Sequence, residues 1–394
     1  MLPEVRMARI IDAIGLHQAK KLSCVEAAEL LGMSERHFRR LRDAYEAHGA
    51  EGIVDRRRGR ASGRRAGVDE IEWVIEEFRT RYFDLTAKHF HEAIHGRPMA
   101  DGTPFSRGYT WTKSVLQLRG LVSKAPKRSA HRKKRARRPL PGLLLFQDGS
   151  KHAWLPQGPE LDLVVTLDDA TSAMLSAVLV EEEGTASSFI GLKQTIAAHG
   201  LFSALYTDRG SHYFYTPKAG EPVDKTRLTQ VGRALKQLGI EHIPSYCPEG
   251  RGRMERLFGT LQSRLPPLLR QEGLASIEAA NHWLATVYIP QHNARFAVAA
   301  AEEGAAFVPF VGVLDDILCV QAERVVGNDN TVRYEGRVLQ IPEQRHRRHF
   351  VKANVRVHEY PDGRLAIFHG PLRLADYESD GTLVDPIRPA RTAA

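Results

Sequence analysis

Apolar residues recur at two different periods along this chain, and the change of period separates its parts. The first 60 residues follow the helical period. Ser23 and Glu26 stand three apart, the spacing of a capping box, and predict a helix through Leu31. Gly32 supplies a turn, and Ser34 caps a second helix from residue 35 to about 48. On that helix Phe38, Leu41 and Tyr45 are apolar, whereas Arg36, Arg39, Arg40 and Arg42 are basic. Two short helices with glycine in the turn and cations on the second have helix–turn–helix spacing. Residues 69–82 are again amphipathic, with Ile71, Val74, Ile75 and Phe78 on one face. Residues 85–94 make the next helix, and Ser106 caps a third that runs to about Leu118. Trp111, Val115, Leu116 and Leu118 are expected inside it, with Arg107, Lys113 and Arg119 outside. The pattern predicts a second helix–turn–helix unit.

Beyond residue 140, short apolar runs alternate with helical segments. Strands are predicted over 143–148, 161–168 and 174–181, linked by short turns such as Asp169-Ala170-Thr171-Ser172. A helix over 185–199 closes on Gly200, and a strand follows over 201–206. A helix over 225–238, a strand over 240–246 and helices over 251–265 and 276–293 complete the region. This is an α/β core with a mixed five-stranded sheet. From residue 331 onward, β-rich runs at 332–339, 354–359 and 365–369 alternate with turns such as Pro361-Asp362-Gly363 and predict a small β-barrel. The resulting division is multidomain: helix–turn–helix units at 1–62 and 63–123, a basic linker at 124–140, the α/β core at 141–300, a connector at 301–330, and the β-barrel with its tail at 331–394.

Composition supports packed domains, and charge suggests a partner. The chain has 394 residues, of which 42% are hydrophobic, and a net charge of +9. A basic balance suits a polyanion. The cations are clustered at Arg56, Arg57 and Arg58, and in the run 124–138, KAPKRSAHRKKRARR, with Arg132, Lys133, Lys134 and Arg135 at its centre. That run has no acidic residue and no large apolar one, so it cannot build a core and suits an arm that follows phosphates. The same composition also fits a nuclear import signal. No apolar run reaches 18 residues, and the N-terminus lacks the apolar core of a signal peptide. Cys24, Cys247 and Cys319 are scattered and read as reduced thiols. The expectation is a cytoplasmic, nucleoid-associated protein. His89, His91 and His95 have no cysteine partners nearby and read as packing histidines rather than zinc ligands.

Three acids stand where strands or helices open onto loops. Asp148 ends the run 143–147, and Asp208 follows the strand at 201–206 in TDRGS. Glu255 lies just inside the helix that follows the breaker Pro248-Glu249-Gly250-Arg251-Gly252. On that helix Met254, Leu257, Phe258, Leu261 and Leu265 share one face, with Glu255, Gly259 and Gln262 on a stripe at its edge. Arg253, Arg256, Thr260 and Arg264 occupy the outer face, where the arginines suit phosphates. Glu249 is the rival acid, but it sits in the breaker. Oxygen-only ligands suit Mg²⁺ or Mn²⁺.

These segments together resemble the integrase-like DDE transposases of bacterial insertion sequences, relatives of retroviral integrases with a ribonuclease H-like core. The resemblance is carried by FQDGS at 146–150, LDDATS at 167–172, YTDRGS at 206–211, CPEGRGRMERLFGTLQ at 247–262 and QHNAR at 291–295. The order of strands and helices is also that of the ribonuclease H-like fold. The resemblance implies two Mg²⁺ ions held by Asp148, Asp208 and Glu255, strand cleavage at the element's ends, and strand transfer into target DNA. It also implies that the helix–turn–helix units read terminal inverted repeats and that protomers associate to bring two ends together. DNA contacts are then expected at Arg36, Arg39, Arg40, Arg56, Arg57, Arg58, Lys113, Arg132, Lys133, Lys134, Arg135, Arg253 and Arg256. The interval from Asp208 to Glu255 is longer than the family's usual one, and the surplus falls in the Pro/Gly-rich stretch 215–226, where a loop can grow at little cost. A DNA-binding regulator with an inactive core and a ribonuclease H-type nuclease are the alternative readings.

Overall fold

The computed structural model describes residues 3–54, 65–124, 135–218, 221–224, 226–246, 248–344 and 347–384. Arg56, Arg57, Arg58, Arg132, Lys133 and Lys134 lie outside the described residues, as does the side chain of Glu249. The chain divides into two compact units, Met1–Trp73 and Val74–Ala394.

The first unit is helical. It comprises α1 (Pro3–Gln18), α2 (Cys24–Leu31), α3 (Glu35–His48), a 3-10 turn (Gly49–Ile53) and the start of α4 (Val68–Thr80). The expected capping box opens α2: Ser23 Oγ accepts from Glu26 N, and Glu26 Oε2 accepts from Ser23 N at 2.7 Å. Gly32 ends α2 at φ 61°, a left-handed conformation that favours glycine. Ser34 then caps α3. Ile10, Ala13 and Ile14 of α1, Ala27 and Ala28 of α2, and Phe38 of α3 form the core.

In the second unit α4 continues, followed by α5 (Ala87–Ile94) and α6 (Tyr109–Leu118). The rings of Phe78 and Phe90 meet edge to face at 5.0 Å between centroids. Two details differ from expectation. Gly108, not Ser106, precedes the first turn of α6. Val115 and Leu116 are buried, but Leu118 is 86% exposed, because the helix ends there and Gly120 turns the chain away.

The α/β core follows the expected order: β1 (Leu145–His152), β2 (Leu161–Asp168), β3 (Met174–Val180), α7 (Thr185–His199), β4 (Ala204–Thr207), α8 (Gln230–Gln237), β5 (Glu241–Pro244) and α9 (Pro248–Gln271). Then come α10 (Ile277–Trp283), a π-helical turn (Leu284–Tyr288) and α11 (Ile289–Phe296). The sheet is mixed, in the order β3-β2-β1-β4-β5. β1, β2 and β3 form an antiparallel meander, and β4 and β5 run parallel to β1.

Period-two alternation assigns each face of the sheet. Leu144, Phe146, Ala204 and Tyr206 pack in the cluster with Met254, Leu257, Phe258 and Leu261 of α9. Leu145 and Leu205 pack in the opposite cluster with Phe189, Leu192 and Ile196 of α7. Even-numbered positions at the ends of β1 and β4 therefore face α9.

Several boundaries move for physical reasons. β1 runs on to His152 because β2 pairs with it throughout, from Leu145↔Asp168 to His152↔Leu161. α8 starts at Gln230, five residues later than expected, because Thr229 Oγ1 caps it by accepting from Gly232 N at 3.1 Å. α9 continues through Pro266 and Pro267 to Gln271. A proline inside a helix costs about 3 kcal/mol or more, and the full burial of Leu265 and Leu269 in the core opposes that cost.

The C-terminal region contains β6 (Val320–Val325), β7 (Thr331–Tyr334), β8 (Arg337–Gln340), β9 (Asn354–Glu359), β10 (Leu365–His369), β11 (Leu372–Tyr377) and β12 (Leu383–Val384). An antiparallel sheet in the order β12-β11-β10-β9-β6 shares a core with the β7–β8 hairpin, through Val332, Leu339, Val357, Ile367 and Tyr377. The expected small β-barrel is seen as far as a sheet with a hairpin on a shared core: among the described residues no ladder joins the edges β6 and β12.

A buried histidine in this sheet makes its stability depend on pH. His358 of β9 stacks on Phe368 at 4.2 Å, and neither ring nitrogen finds a hydrogen-bond partner among the described residues. Burial first, then the charges of Arg356, Arg233 and Arg373, push its pKa down to about 3. Burial likewise lowers His89 and His292 to about 4. The folded state then stays neutral where the unfolded chain, titrating near 6.5, takes up protons. Stability is therefore unaffected above about pH 6.5 and falls as pH drops from there toward 4. His358→Phe should flatten that acid limb in denaturant melts taken from pH 7 to 4; an unchanged slope would rule this origin out.

Among the described residues no helix is long and apolar enough to cross a membrane.

Candidate active site

The site is built on two neighbouring parallel strands: Asp148, expected where a strand opens onto a loop, lies within β1, because pairing with β2 carries that strand on to His152, whereas Asp208 does lie just past the end of β4. β1 and β4 pair with Leu145 opposite Leu205 and Phe146 opposite Tyr206. Two residues beyond the last of these pairs stand Asp148, on the β1 face that packs against α9, and Asp208, where the ladder has ended. Asp148 is only 7% exposed. Asp208 lies one residue past β4, where its Oδ1 accepts from Gly210 N at 2.8 Å.

α9 crosses this face and is tied to it. Gln262 Nε2 donates to Ser150 Oγ at 3.1 Å, two residues beyond Asp148 on β1. Glu255 is seven residues before Gln262 on the same helical stripe, about 10 Å along the axis at 1.5 Å per residue. Gly259 stands between them, with open space where a Cβ would be. Glu255 is exposed. Asp148 and Asp208 thus each follow the last pair of neighbouring strands by two residues, and Glu255 heads the stripe joined to β1. Among the described residues, no three His, Cys, Asp or Glu side chains are gathered closely enough to hold a metal ion. The donors fit a hard cation in kind, since all three are carboxylates.

The description "Winged helix-turn helix" matches residues 12–70. A protein of Sinorhizobium fredii (strain NBRC 101917 / NGR234) named "Putative transposase y4bF" is 31% identical over 367 residues, covering 92% of this chain and 77% of that protein. The chain belongs to this transposase family. The Streptococcus pneumoniae protein named "Transposase for insertion sequence IS1202" is 28% identical over 381 residues, covering 89% of this chain and 80% of that protein. The solved catalytic core domain of HTLV-2 integrase in complex with magnesium is 19% identical, and the match covers 37% of this chain and 86% of that one, with a TM-score of 0.28.

The transposase supports these two strands with a polar network on the α7 side, which the sequence pattern did not reveal. Gln147 Nε2 donates to Thr166 Oγ1 and to the Ser188 carbonyl, and its Oε1 accepts from the buried Tyr213 hydroxyl at 3.2 Å. Burial, with the carboxylates of Glu183, Asp148 and Asp208, holds the Tyr213 phenol well above its ordinary pKa. Glu183 lies against Gly149, so closely that a Cβ there would stand 2.2 Å from its Oε2. His212 Nε2 is 3.6 Å from Glu183 Oε1. Only the glycine at 149, between Asp148 and Ser150 within β1, hinted at such a close approach.

Asp168, by contrast, is structural. It is buried, and it accepts from Gly142 N, Thr171 N and Thr171 Oγ1 at 2.7–3.0 Å, which holds the β2–β3 turn.

The transposase's candidate DNA-binding residues divide by exposure. Arg36, Arg39 and Arg40 are exposed on α3, opposite the buried Phe38. Arg39 pairs with Glu35, and Arg40 Nη2 lies 3.0 Å from His37 Nδ1. Arg42 turns inward, with Nη1 3.3 Å from His17 Nε2. Lys113 is half-buried on α6, and Arg256 is exposed on α9. Three arginines do not stand free. Arg253 and Arg135 both pair with the buried Asp169, and Arg264 pairs with Glu92 at 2.9 Å. The outer-face expectation for Arg253 and Arg264 is corrected by these counter-charges.

Proposed function

We propose that this transposase binds the terminal inverted repeats of its insertion sequence and catalyses metal-dependent strand cleavage and strand transfer, as a polynucleotidyl transferase acting in the cytoplasm at the nucleoid. Asp148, Asp208 and Glu255 are the proposed catalytic and metal-holding carboxylates. The observation that supports this best is the pairing of β1 with β4, since Asp148 and Asp208 each stand two residues past its last pair and Asp148 is on the β1 face that α9 crosses. Two Mg²⁺ ions, or Mn²⁺, bound there would supply Lewis acidity at the attacking and leaving oxygens of an in-line displacement at phosphorus. The chain's own residues set the geometry: Asp148 is held by β1, Asp208 by the Gly210 turn, and Glu255 by a helix tied through Gln262 to Ser150.

The rest of the chain would hold the DNA. Arg36, Arg39 and Arg40 are placed to reach base edges from α3, and Arg256 to meet phosphate near the carboxylates. Arg56, Arg57, Arg58, Lys113, Arg132, Lys133 and Lys134 would add contacts to the backbone. Joining two element ends requires protomers to associate in a synaptic complex. In a cleavage assay on labelled end DNA, activity should need Mg²⁺ or Mn²⁺ and disappear with chelator. Tight, end-specific binding with no metal-dependent cleavage would instead favour a regulator, and preferential cutting of RNA–DNA hybrids would favour a nuclease.

The basic run predicts a second, separable behaviour. Deleting residues 124–134 should weaken binding to end DNA and random duplex alike and flatten the dependence of affinity on salt, since each phosphate contact contributes about 0.9 to the log–log slope. Filter binding at several salt concentrations reads this. A selective loss of end DNA at constant slope would make the run a sequence reader instead.

A further inference from the structure

The β2–β3 turn holds a charged cluster whose members are far apart in the chain. Asp169 has no exposed surface. Its Oδ1 is paired with both Arg135 and Arg253, and its Oδ2 accepts from Arg138 N at 2.7 Å. Arg253 Nη2 donates to the Arg135 carbonyl at 2.8 Å, which closes a ring of three partners. Arg137 grips the same turn, donating from Nη1 to the carbonyls of Asp169 and Ala170 and to Ser172 Oγ at 2.8–3.2 Å. The turn itself is fixed to the sheet by Asp168 and by Asp169 N, which donates to Leu144 O at 3.0 Å.

Two separate parts of the transposase therefore end on one buried carboxylate. Arg135 belongs to the basic run of residues 124–138, and Arg253 stands two residues before Glu255, about 3 Å along the axis of α9. Gln262 ties the same helix to β1 nine residues further on. Glu255 thus lies between two anchors on the sheet, one at Asp169 and one at Ser150.

We infer that Asp169 is a positioning residue for the active site: through Arg253 it sets the place of Glu255, and through Arg135 and Arg138 it fixes where the basic run leaves the core. Without its charge, the guanidinium groups of Arg135 and Arg253 would face one another unneutralised, and the first turns of α9 would lose their hold on the sheet. The effect would reach the metal through Glu255, without any contact between Asp169 and the reacting atoms.

The inference rests on the proposed role of Glu255, and its test is arranged to fail separately. Full-length Arg253→Gln, Asp169→Asn and the double variant are compared with wild type in single-turnover cleavage of end DNA across Mg²⁺ concentrations. Thermal midpoints are measured alongside. Arg253→Gln leaves Asp169 paired with Arg135 and Arg138 N, so it cuts only the link to α9 and keeps the turn neutralised. Each single variant should lose at least tenfold in rate and need at least threefold more Mg²⁺ for half-maximal rate. The double variant should be no worse than the poorer single, because residues acting as one unit are not additive. If Asp169→Asn does not fold, the shift in half-maximal Mg²⁺ in Arg253→Gln decides. An unchanged Mg²⁺ requirement in folded Arg253→Gln, or losses that multiply in the double variant, would overturn the inference. Absence of metal-dependent cleavage in wild type would overturn the functional reading itself.

Discussion

Asp148→Asn and Asp208→Asn should each lower Mg²⁺-dependent cleavage and strand transfer by at least about a thousandfold, a loss of roughly 4 kcal/mol of transition-state stabilisation. Each carboxylate stands two residues past the last pair of the neighbouring strands β1 and β4, and Asp148 is nearly buried. An amide in either place cannot supply the negative charge that a divalent cation requires of its ligands. End-DNA binding should survive, because the exposed arginines of α3 belong to the other compact unit. Without metal, either variant should be at least as stable as wild type, since like charges held near one another repel. Thermal melts with and without Mg²⁺ check this: wild type should gain more from Mg²⁺ than either variant. Equal gains in all three would mean that these aspartates do not hold the cation.

The second large effect is expected at α3. Replacing Arg36, Arg39 and Arg40 together with alanine should abolish preference for end DNA over random duplex while leaving the helical core of Phe38, Ile14 and Ala27 intact. A base-reading contact is worth about 1–3 kcal/mol of discrimination, so losing three should be plain in competition footprinting. Circular dichroism should be unchanged, because all three side chains are exposed. Retained end-specific footprints would place sequence reading elsewhere. The half-buried Arg42 is the informative contrast: its alanine variant should cost stability, since the guanidinium bridges His17 of α1 and Asp43 of α3.

What could be read from the sequence was what depends on near neighbours. The Ser23–Glu26 capping box, the Gly32 stop and the glycine that ends α7 are local, and each appears where the residues placed it. The period-two runs of β2 and β3 are apolar enough to identify themselves, and the stripe of Glu255, Gly259 and Gln262 follows from helical spacing alone. What the sequence hid depends on distant partners. Asp169 is neutralised by Arg135, 34 residues before it, and by Arg253, 84 residues after it. Neither arginine differs in sequence from one that faces solvent. β6 escaped notice because its buried position is Gln321, whose backbone exchanges hydrogen bonds with the Gln230 side chain of α8. The run of α9 through Pro266 and Pro267 goes against local propensity, which the burial of Leu265 and Leu269 overrides.

The third carboxylate is the placement that most needs a direct measurement, because Glu249 is the rival in the same segment. That measurement is Mg²⁺-dependent cleavage of a labelled element end by wild type, Asp208→Asn, Glu255→Gln and Glu249→Gln side by side. Wild type and Glu249→Gln should cut, whereas Asp208→Asn and Glu255→Gln should bind the end without cutting it. Cleavage by Glu255→Gln with none by Glu249→Gln would move the third ligand, and undiminished cleavage by Asp208→Asn would contradict a site built on β1 and the end of β4.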